Sequence, residues 1–275
     1  MSKIHHYTSI ENLALILNSK SLRFTRLDFL DDLSESKEFG KYNPLKYSFV
    51  SCWTKDEKEN IALWKMYSSL EKGVKLTFEN DFIFNYYDIP VSHFLSVDLG
   101  AKCHEEGKLQ LIKNPEQDFI FHKSPLTPEQ FFNRDYMIPP FVSDILFKDI
   151  VYDDNYVELY KKAIQIIDGN IEIAHSNYGE FKSKYWEFQK ESRFIIHTLP
   201  MGSFKEGCFS KRALENSNLS TEYIDVNISD IAFSGMTVTL APLTEKSHEI
   251  IVKTLLSKFP AAKIQNSELK GIIRR

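Results

Sequence analysis

The densest set of chemically capable side chains lies in Trp186-Glu187-Phe188-Gln189-Lys190-Glu191-Ser192-Arg193. In an extended segment, residues two apart share a face, so Gln189 and Glu191 point the same way. A carboxylate held at such a point can stabilise developing positive charge. Its hydrogen bonds are about twice as strong as neutral ones. The amide two places earlier can orient a second group without adding charge. A purely structural reading competes: a Glu191–Arg193 or Glu187–Lys190 ion pair. A second set opens the chain, Ile4-His5-His6-Tyr7-Thr8-Ser9. Its two histidines stand where a strand runs into a helix, a junction that gathers backbone N–H groups. Only one of two adjacent strand residues faces a given side. A third set is acidic: Asp31, Asp32 and Glu35 in one loop, downstream of Arg23 and Arg26. Three carboxylates can hold magnesium, but no second segment joins them. The plain alternative is a solvated loop with weak local salt bridges.

Familiar catalytic patterns do not occur. There is no Cys-x-x-Cys, no His-Glu-x-x-His, no Gly-x-Ser-x-Gly, no phosphate-binding loop and no Gly-x-Gly-x-x-Gly. His104-Glu105-Glu106 lacks a second histidine at helical spacing, which argues against zinc. The 275 residues are 43% hydrophobic and 26% charged, the balance of a globular chain with a buried core. A net charge of −4 supplies no global field for nucleic acid. Cys52, Cys103 and Cys208 are odd in number and scattered, which suits a reducing cytoplasm. No apolar leader and no membrane-length apolar run is visible, so a cytoplasmic protein without membrane contact is expected.

The elements that must position these residues follow from periodicity and punctuation. Thr8 and Glu11 form a capping box, and Ile10, Leu13, Ala14 and Leu17 make one helical face. Ser21–Phe24 and Tyr47–Trp53 read as strands. Thr54 and Glu57 suggest a second capping box, for a helix carrying Ile61, Trp64, Tyr67 and Ser68. Gly73 is expected to end it as a left-handed cap. Val74, Leu76 and Phe78 alternate with polar residues, as in a half-buried strand. Thr127–Gln189 reads as mostly helical, with a stripe at Val157, Tyr160, Ile164 and Ile167. Arg193–His197 is a strand, Tyr223–Ser234 two short strands, Glu245–Lys258 a helix and Ala262–Gln265 a last strand. Strands separated by helices without regular alternation argue α+β. No linker divides the chain, so residues 1–275 are expected to form a single domain, with about 80–185 a variable, partly helical insertion.

The opening residues resemble the first motif of the diphtheria-toxin-like and poly-ADP-ribose-polymerase-like ADP-ribosyltransferases. His6, Thr8, Asn12 and Ile16-Leu17 stand at matching offsets, with Tyr7 where Gly often follows the His. The chain is more similar still to an uncharacterised bacterial family, domain of unknown function 2971. That family opens with a His-His-Tyr-Thr-Ser-like run and carries Asn-Asp-x-x-Glu where Asp31–Glu35 stands. It has Trp-x-x-Glu-x-Glu-x-Arg where Trp186, Gln189, Glu191 and Arg193 stand. The resemblance covers roughly residues 4–35, 47–78, 184–197 and 224–275.

The resemblance implies an ADP-ribosyltransferase-like core, a mixed, mostly antiparallel split β-sheet with flanking helices and a helical insertion. It implies NAD as substrate, cleavage of the nicotinamide–ribose bond, and transfer of ADP-ribose to a protein or nucleic-acid acceptor. A phage-defence or toxin-like effector would fit. Glu191 would be catalytic, stabilising an oxocarbenium-like ribose, and Gln189 would orient the acceptor. His6, Tyr7, Thr8, Arg23, Ser51 and Tyr67 would bind NAD. His6 would meet the adenosine ribose, Ser51, Tyr67 or Phe49 the nicotinamide, and Arg23 or Arg26 the pyrophosphate. No metal is expected. Two other functions stand beside this one: a catalytically silent nucleotide- or partner-binding protein, and a metal-dependent nucleic-acid-processing enzyme using Asp31, Asp32 and Glu35.

Overall fold

The computed structural model describes residues 3–32, 44–90, 121–131, 133–138, 145–167, 170–173, 179–200, 204–205, 208–209 and 219–274. Its core is one nine-stranded sheet. In chain order the strands are β1 (Ile4–Ser9), β2 (Ser21–Arg26), β3 (Ser48–Thr54), β4 (Gly73–Phe78), β5 (Leu146–Asp149), β6 (Glu191–His197), β7 (Tyr223–Asn227), β8 (Thr237–Leu240) and β9 (Lys263–Asn266). The spatial order is β7-β2-β3-β1-β4-β8-β9, with β6 also on β3 and β5 beyond β6. Every pairing is antiparallel except β8–β9. With helices α1 (Ile10–Ser19) and α2 (Ile61–Tyr67) and others described below, the class is mixed α+β. Among the described residues no helix is long and apolar enough to cross a membrane.

The sheet divides at β3. One edge of β3 pairs with β6 along all seven residues. The other edge is shared: β1 touches it at one pair, His5 with Thr54, and β2 at Thr25–Val50 and Arg26–Phe49. Between these contacts β1 leaves β3 and pairs instead with β4 along its whole length. A gap therefore opens beside Cys52. Aromatic residues fill the core behind it. Phe194 packs edge-on to Trp53 at 5.8 Å and to Phe84 at 5.0 Å.

Several local expectations are corrected. The cap of α1 is Ser9, whose hydroxyl accepts from the Asn12 N–H at 3.1 Å. Thr8 stays in β1, opposite Val74. The Thr54–Glu57 box does not form, because the Thr54 hydroxyl donates to the Lys190 carbonyl at 2.8 Å. Asn60 caps α2 instead, accepting from the Ala62 N–H at 2.8 Å. Gly73 begins β4 and is not left-handed; among the described glycines Gly179 and Gly271 have positive φ. Its value lies in a close approach, since a Cβ there would sit 2.5 Å from the Ser69 carbonyl oxygen. β4 is buried at every residue rather than on one face, because the sheet is covered on both sides there.

The stretch 127–189 is less helical than its periodicity suggests. Helices occupy Pro128–Phe131 and Tyr156–Ala163, and a 3₁₀ turn Lys184–Gln189. Short strands occupy Tyr136–Met137, Val151–Tyr152, Ile164–Ile167, Asn170–Ile173 and Phe181–Lys182, besides β5. The apolar stripe misleads because it runs from the helix ending at Ala163 directly into the strand Ile164–Ile167. The second strand expected before Ser234 is a helix, Asp230–Gly235, capped by the Ser229 hydroxyl. Of the expected insertion, residues 91–120 lie outside the described residues.

Candidate functional site

The gap between β1 and β3 holds a cavity of about 60 Å³. His5, His6, Tyr7, Cys52, Trp53, Thr54, Leu63, Tyr67, Gln189 and Glu191 line it. The register explains how residues so far apart in sequence meet. Thr54 pairs with His5 of β1 on one side and with Glu191 of β6 on the other. Neighbouring strands lie about 4.8 Å apart, so the row His5–Thr54–Glu191 spans roughly 10 Å of backbone. α2 brings Leu63 and Tyr67 over the same gap.

Both histidines line the cavity, which corrects the expectation that only one could. The lining surface is a gap at the end of a strand pairing, not one face of a sheet. His6 Nδ1 lies 2.8 Å from the Cys52 carbonyl oxygen, and its ring lies 5.0 Å from that of Trp53. A carbonyl only accepts, so Nδ1 carries a proton. Burial pushes the imidazole pKa down, which keeps the ring neutral and leaves Nε2 as an acceptor. His5 Nδ1 is 2.8 Å from the Thr77 hydroxyl, and burial, aided by the Lys75 charge, lowers its pKa to about 4. The Tyr7 hydroxyl accepts from the Asn60 N–H at 3.2 Å. Burial raises its pKa to about 12.

Glu191 is the buried end of a polar network. Its Oε1 accepts from Arg193 Nε at 2.6 Å, and its Oε2 from Lys182 Nζ at 3.1 Å and Arg193 Nη2 at 3.3 Å. The Cys52 thiol lies beside it. Burial alone would raise the carboxyl pKa, but Arg193 and Lys182 outweigh it and hold it at about 2. The same burial, with the Glu191 charge beside it, pushes the Cys52 thiol well up, so it is no thiolate nucleophile. The three donor atoms of Lys182 and Arg193 occupy most of the roughly four lone-pair sites of a carboxylate. The expected Glu191–Arg193 ion pair is thus present, inside the site.

Gln189 continues the network. Its Oε1 accepts from Lys182 Nζ at 2.8 Å, and its Nε2 donates to the Tyr67 hydroxyl at 2.6 Å. The Tyr67 hydroxyl donates to Asp31 Oδ2 at 2.9 Å. Burial, and then the Asp31 charge, raise the Tyr67 pKa well above its ordinary value. Lys182 also lies 4.7 Å from the Trp186 ring, within cation–π range. Lys182 and Cys52 carry no signal in the sequence. Lys182 sits in an ordinary Lys-Ser-Lys run, and only the 3₁₀ turn folding Glu191 back onto it reveals its place.

The structure brings His6, Tyr7, Tyr67, Gln189 and Glu191 together and leaves three expected residues elsewhere. Thr8 is buried beyond the cavity wall. The Ser51 hydroxyl accepts from Trp53 Nε1 at 3.0 Å on the core side of β3. Arg23 lies at the β2–β7 edge, paired through two nitrogens with Asp225 at 3.0 and 3.1 Å and stacked 3.7 Å over Tyr223. Arg26 is likewise committed, to Asp28 and the carbonyls of Leu219 and Thr221. Trp64 is a core residue, fully buried. Of the acidic loop, Asp31 serves Tyr67, Asp32 is buried, and Glu35 lies outside the described residues. Among the described residues no group of three or more His, Cys, Asp or Glu side chains is placed to hold a metal.

A second, open cavity of about 310 Å³ adjoins the first at Glu191. Lys55, Asp56, Asp149, Tyr152, Lys190 and Ser192 contribute to its lining. Its charges are paired, Lys55 with Asp149 at 2.5 Å and Lys190 with Asp56 at 2.7 Å. No family model matches the chain, and no curated protein or solved structure matches it either.

Proposed function

We propose that the protein is an ADP-ribosyltransferase that binds NAD across the β1–β3 gap and breaks the nicotinamide–ribose bond at Glu191. One observation carries this reading: His6 and Glu191, 185 positions apart, line one cavity together with Tyr67 and Gln189. His6 offers a neutral acceptor to a ribose hydroxyl. Tyr67 offers a partly exposed ring to a heterocycle. Glu191 is ionised at any working pH and can stabilise the positive charge that grows on the ribose as nicotinamide leaves with the bonding electrons. A protein or nucleic-acid nucleophile then takes the ADP-ribose. The ribose hydroxyl takes the lone-pair site that Arg193 and Lys182 leave open on Glu191.

A second reading has its own support. With three charged donors already on Glu191, the site also fits a protein that binds a nucleotide and does not turn it over. Nicotinamide release separates the two. Glu191→Gln should lower the rate by about 10²–10³. It also strips the counter-charge from Lys182 and Arg193, so its loss of activity could reflect unfolding. Glu191→Asp keeps that charge while drawing the carboxylate back from the cavity. On the transferase reading Glu191→Asp stays folded and is still strongly impaired. Equal release by wild type and Glu191→Asp removes Glu191 from the chemistry, and no release by wild type leaves the binding reading.

A further inference from the structure

The hydrogen bonds around Tyr67 have a direction that cannot be reversed within this sequence. An ammonium has only protons to give, so the Gln189 atom 2.8 Å from Lys182 Nζ must be Oε1. That turns the amide nitrogen of Gln189 toward Tyr67, 2.6 Å away. An amide nitrogen only donates, so the phenol oxygen receives there. The one phenol proton then goes to Asp31 Oδ2 at 2.9 Å. From Lys182 through Gln189 and Tyr67 to Asp31, each group donates to the next.

We propose that Asp31 is a positioning residue of the site, acting through Tyr67. It takes the phenol proton, and the directed chain from Lys182 holds the Tyr67 ring at the cavity with no proton left for a ligand. A bound molecule then meets Tyr67 as a ring and not as a hydrogen-bond donor. The chain also fixes where charge can stand: a carboxylate is accommodated at 31 and an amide at 189, because one phenol proton cannot serve two carboxylates. The effect on a ligand rests on the NAD-binding reading above; the directed chain does not.

The test is a double-mutant cycle on the full chain: wild type, Gln189→Glu, Asp31→Asn, and both together. Gln189→Glu still accepts from Lys182, but the new carboxylate and Asp31 compete for the Tyr67 proton. Asp31→Asn alone keeps the direction, with a weaker acceptor. In the double variant the direction reverses. Tyr67 donates to the carboxylate at 189 and accepts from the amide at 31, so each group is again satisfied. Two quantities are read, the urea midpoint and the NAD dissociation constant from titration calorimetry. Gln189→Glu should have the lowest midpoint and bind NAD about tenfold more weakly or worse. Adding Asp31→Asn should restore both to near the Asp31→Asn values. Single losses that simply add in the double variant would overturn the directed chain. NAD binding equally tight in all four would overturn the positioning role. Rescue of the midpoint with no NAD binding, even by wild type, would leave the directed chain standing and remove the NAD reading instead.

Discussion

Glu191 and His5 give the protein a two-stage sensitivity to acid. His5 is held at about 4 against an ordinary 6.5, so the unfolded chain takes up that proton first. Stability present above pH 6.5 is therefore lost as the pH falls toward 4. His6, lowered by burial as well, acts in the same direction. Glu191 is held at about 2 against 4.5 by Arg193 and Lys182, despite its burial. Its contribution, present at neutral pH, is lost as the pH falls from 4.5 toward 2. Urea midpoints measured from pH 7 to pH 3 should decline in both ranges. His5→Gln should flatten the upper range and leave the lower one unchanged. An unaltered decline between pH 6.5 and 4 in that variant would place the titration on other groups. At this scale the resemblance was informative in that His6, Gln189 and Glu191 line one cavity, though Gln189 and Glu191 meet across a 3₁₀ turn and a left-handed Lys190 and not on one extended segment as their spacing suggested. The sequence was silent on Lys182, because a buried lysine is recognised by its partners. It was silent too on the bidentate partner of Arg23, Asp225, which the β2–β7 pairing brings alongside.

At the scale of elements, the C-terminal segment is fastened to α2 by one buried carboxylate. Glu59 Oε2 accepts from Trp64 Nε1 at 3.0 Å and from the Ser267 hydroxyl, while Oε1 accepts from the Glu268 N–H at 3.0 Å. Lys75 Nζ lies 3.9 Å away, almost as deeply buried. Removing one member of a buried pair leaves an uncompensated charge and typically costs about 3–5 kcal/mol. Glu59→Ala should cost that much in urea, and amide exchange should accelerate first at residues 267–273, ahead of β1 and β4. Uniform acceleration across the sheet would show that Glu59 supports the whole core and not the tail. Elements were legible where period and punctuation agreed, as in α1 with its stripe and β6 with its apolar run. They were misread where one apolar stripe served two elements, around Ala163, and where a nearer cap won, as Asn60 did over Thr54. Local competition among hydrogen-bond partners decides such boundaries, and the winner depends on what folds alongside.

At the scale of the whole molecule, the site depends on a weak seam in a strong sheet. β1 is held to β4 by six residue pairs but to β3 by one pair and the His6 side chain on the Cys52 carbonyl, so widening the seam beside the cavity costs that bond and leaves the main pairing intact. Ligand sites usually measure about 300–1,000 Å³, whereas the inner cavity is about 60 Å³. On the proposed reading, NAD would place one end in the inner cavity, widened along the seam, and extend past Glu191 over the open cavity of about 310 Å³. Binding that uses both regions has a thermodynamic signature. A ligand that binds only the folded state at 100 times its Kd adds about 2.7 kcal/mol. Each kcal/mol moves the midpoint by about 2–4 °C in a chain approaching this size. Saturating NAD should thus raise Tm by roughly 5–10 °C. Nicotinamide and ADP-ribose, each reaching part of the site, should raise it less at equal concentration. On the proposed transferase reading, His6→Ala should reduce the NAD shift more than Glu191→Asp does, because there the carboxylate would act mainly on charge absent from ground-state NAD. ADP-ribose matching NAD in full would confine the ligand to the open cavity. No shift with any of the three at millimolar concentration would end the nucleotide reading at this site.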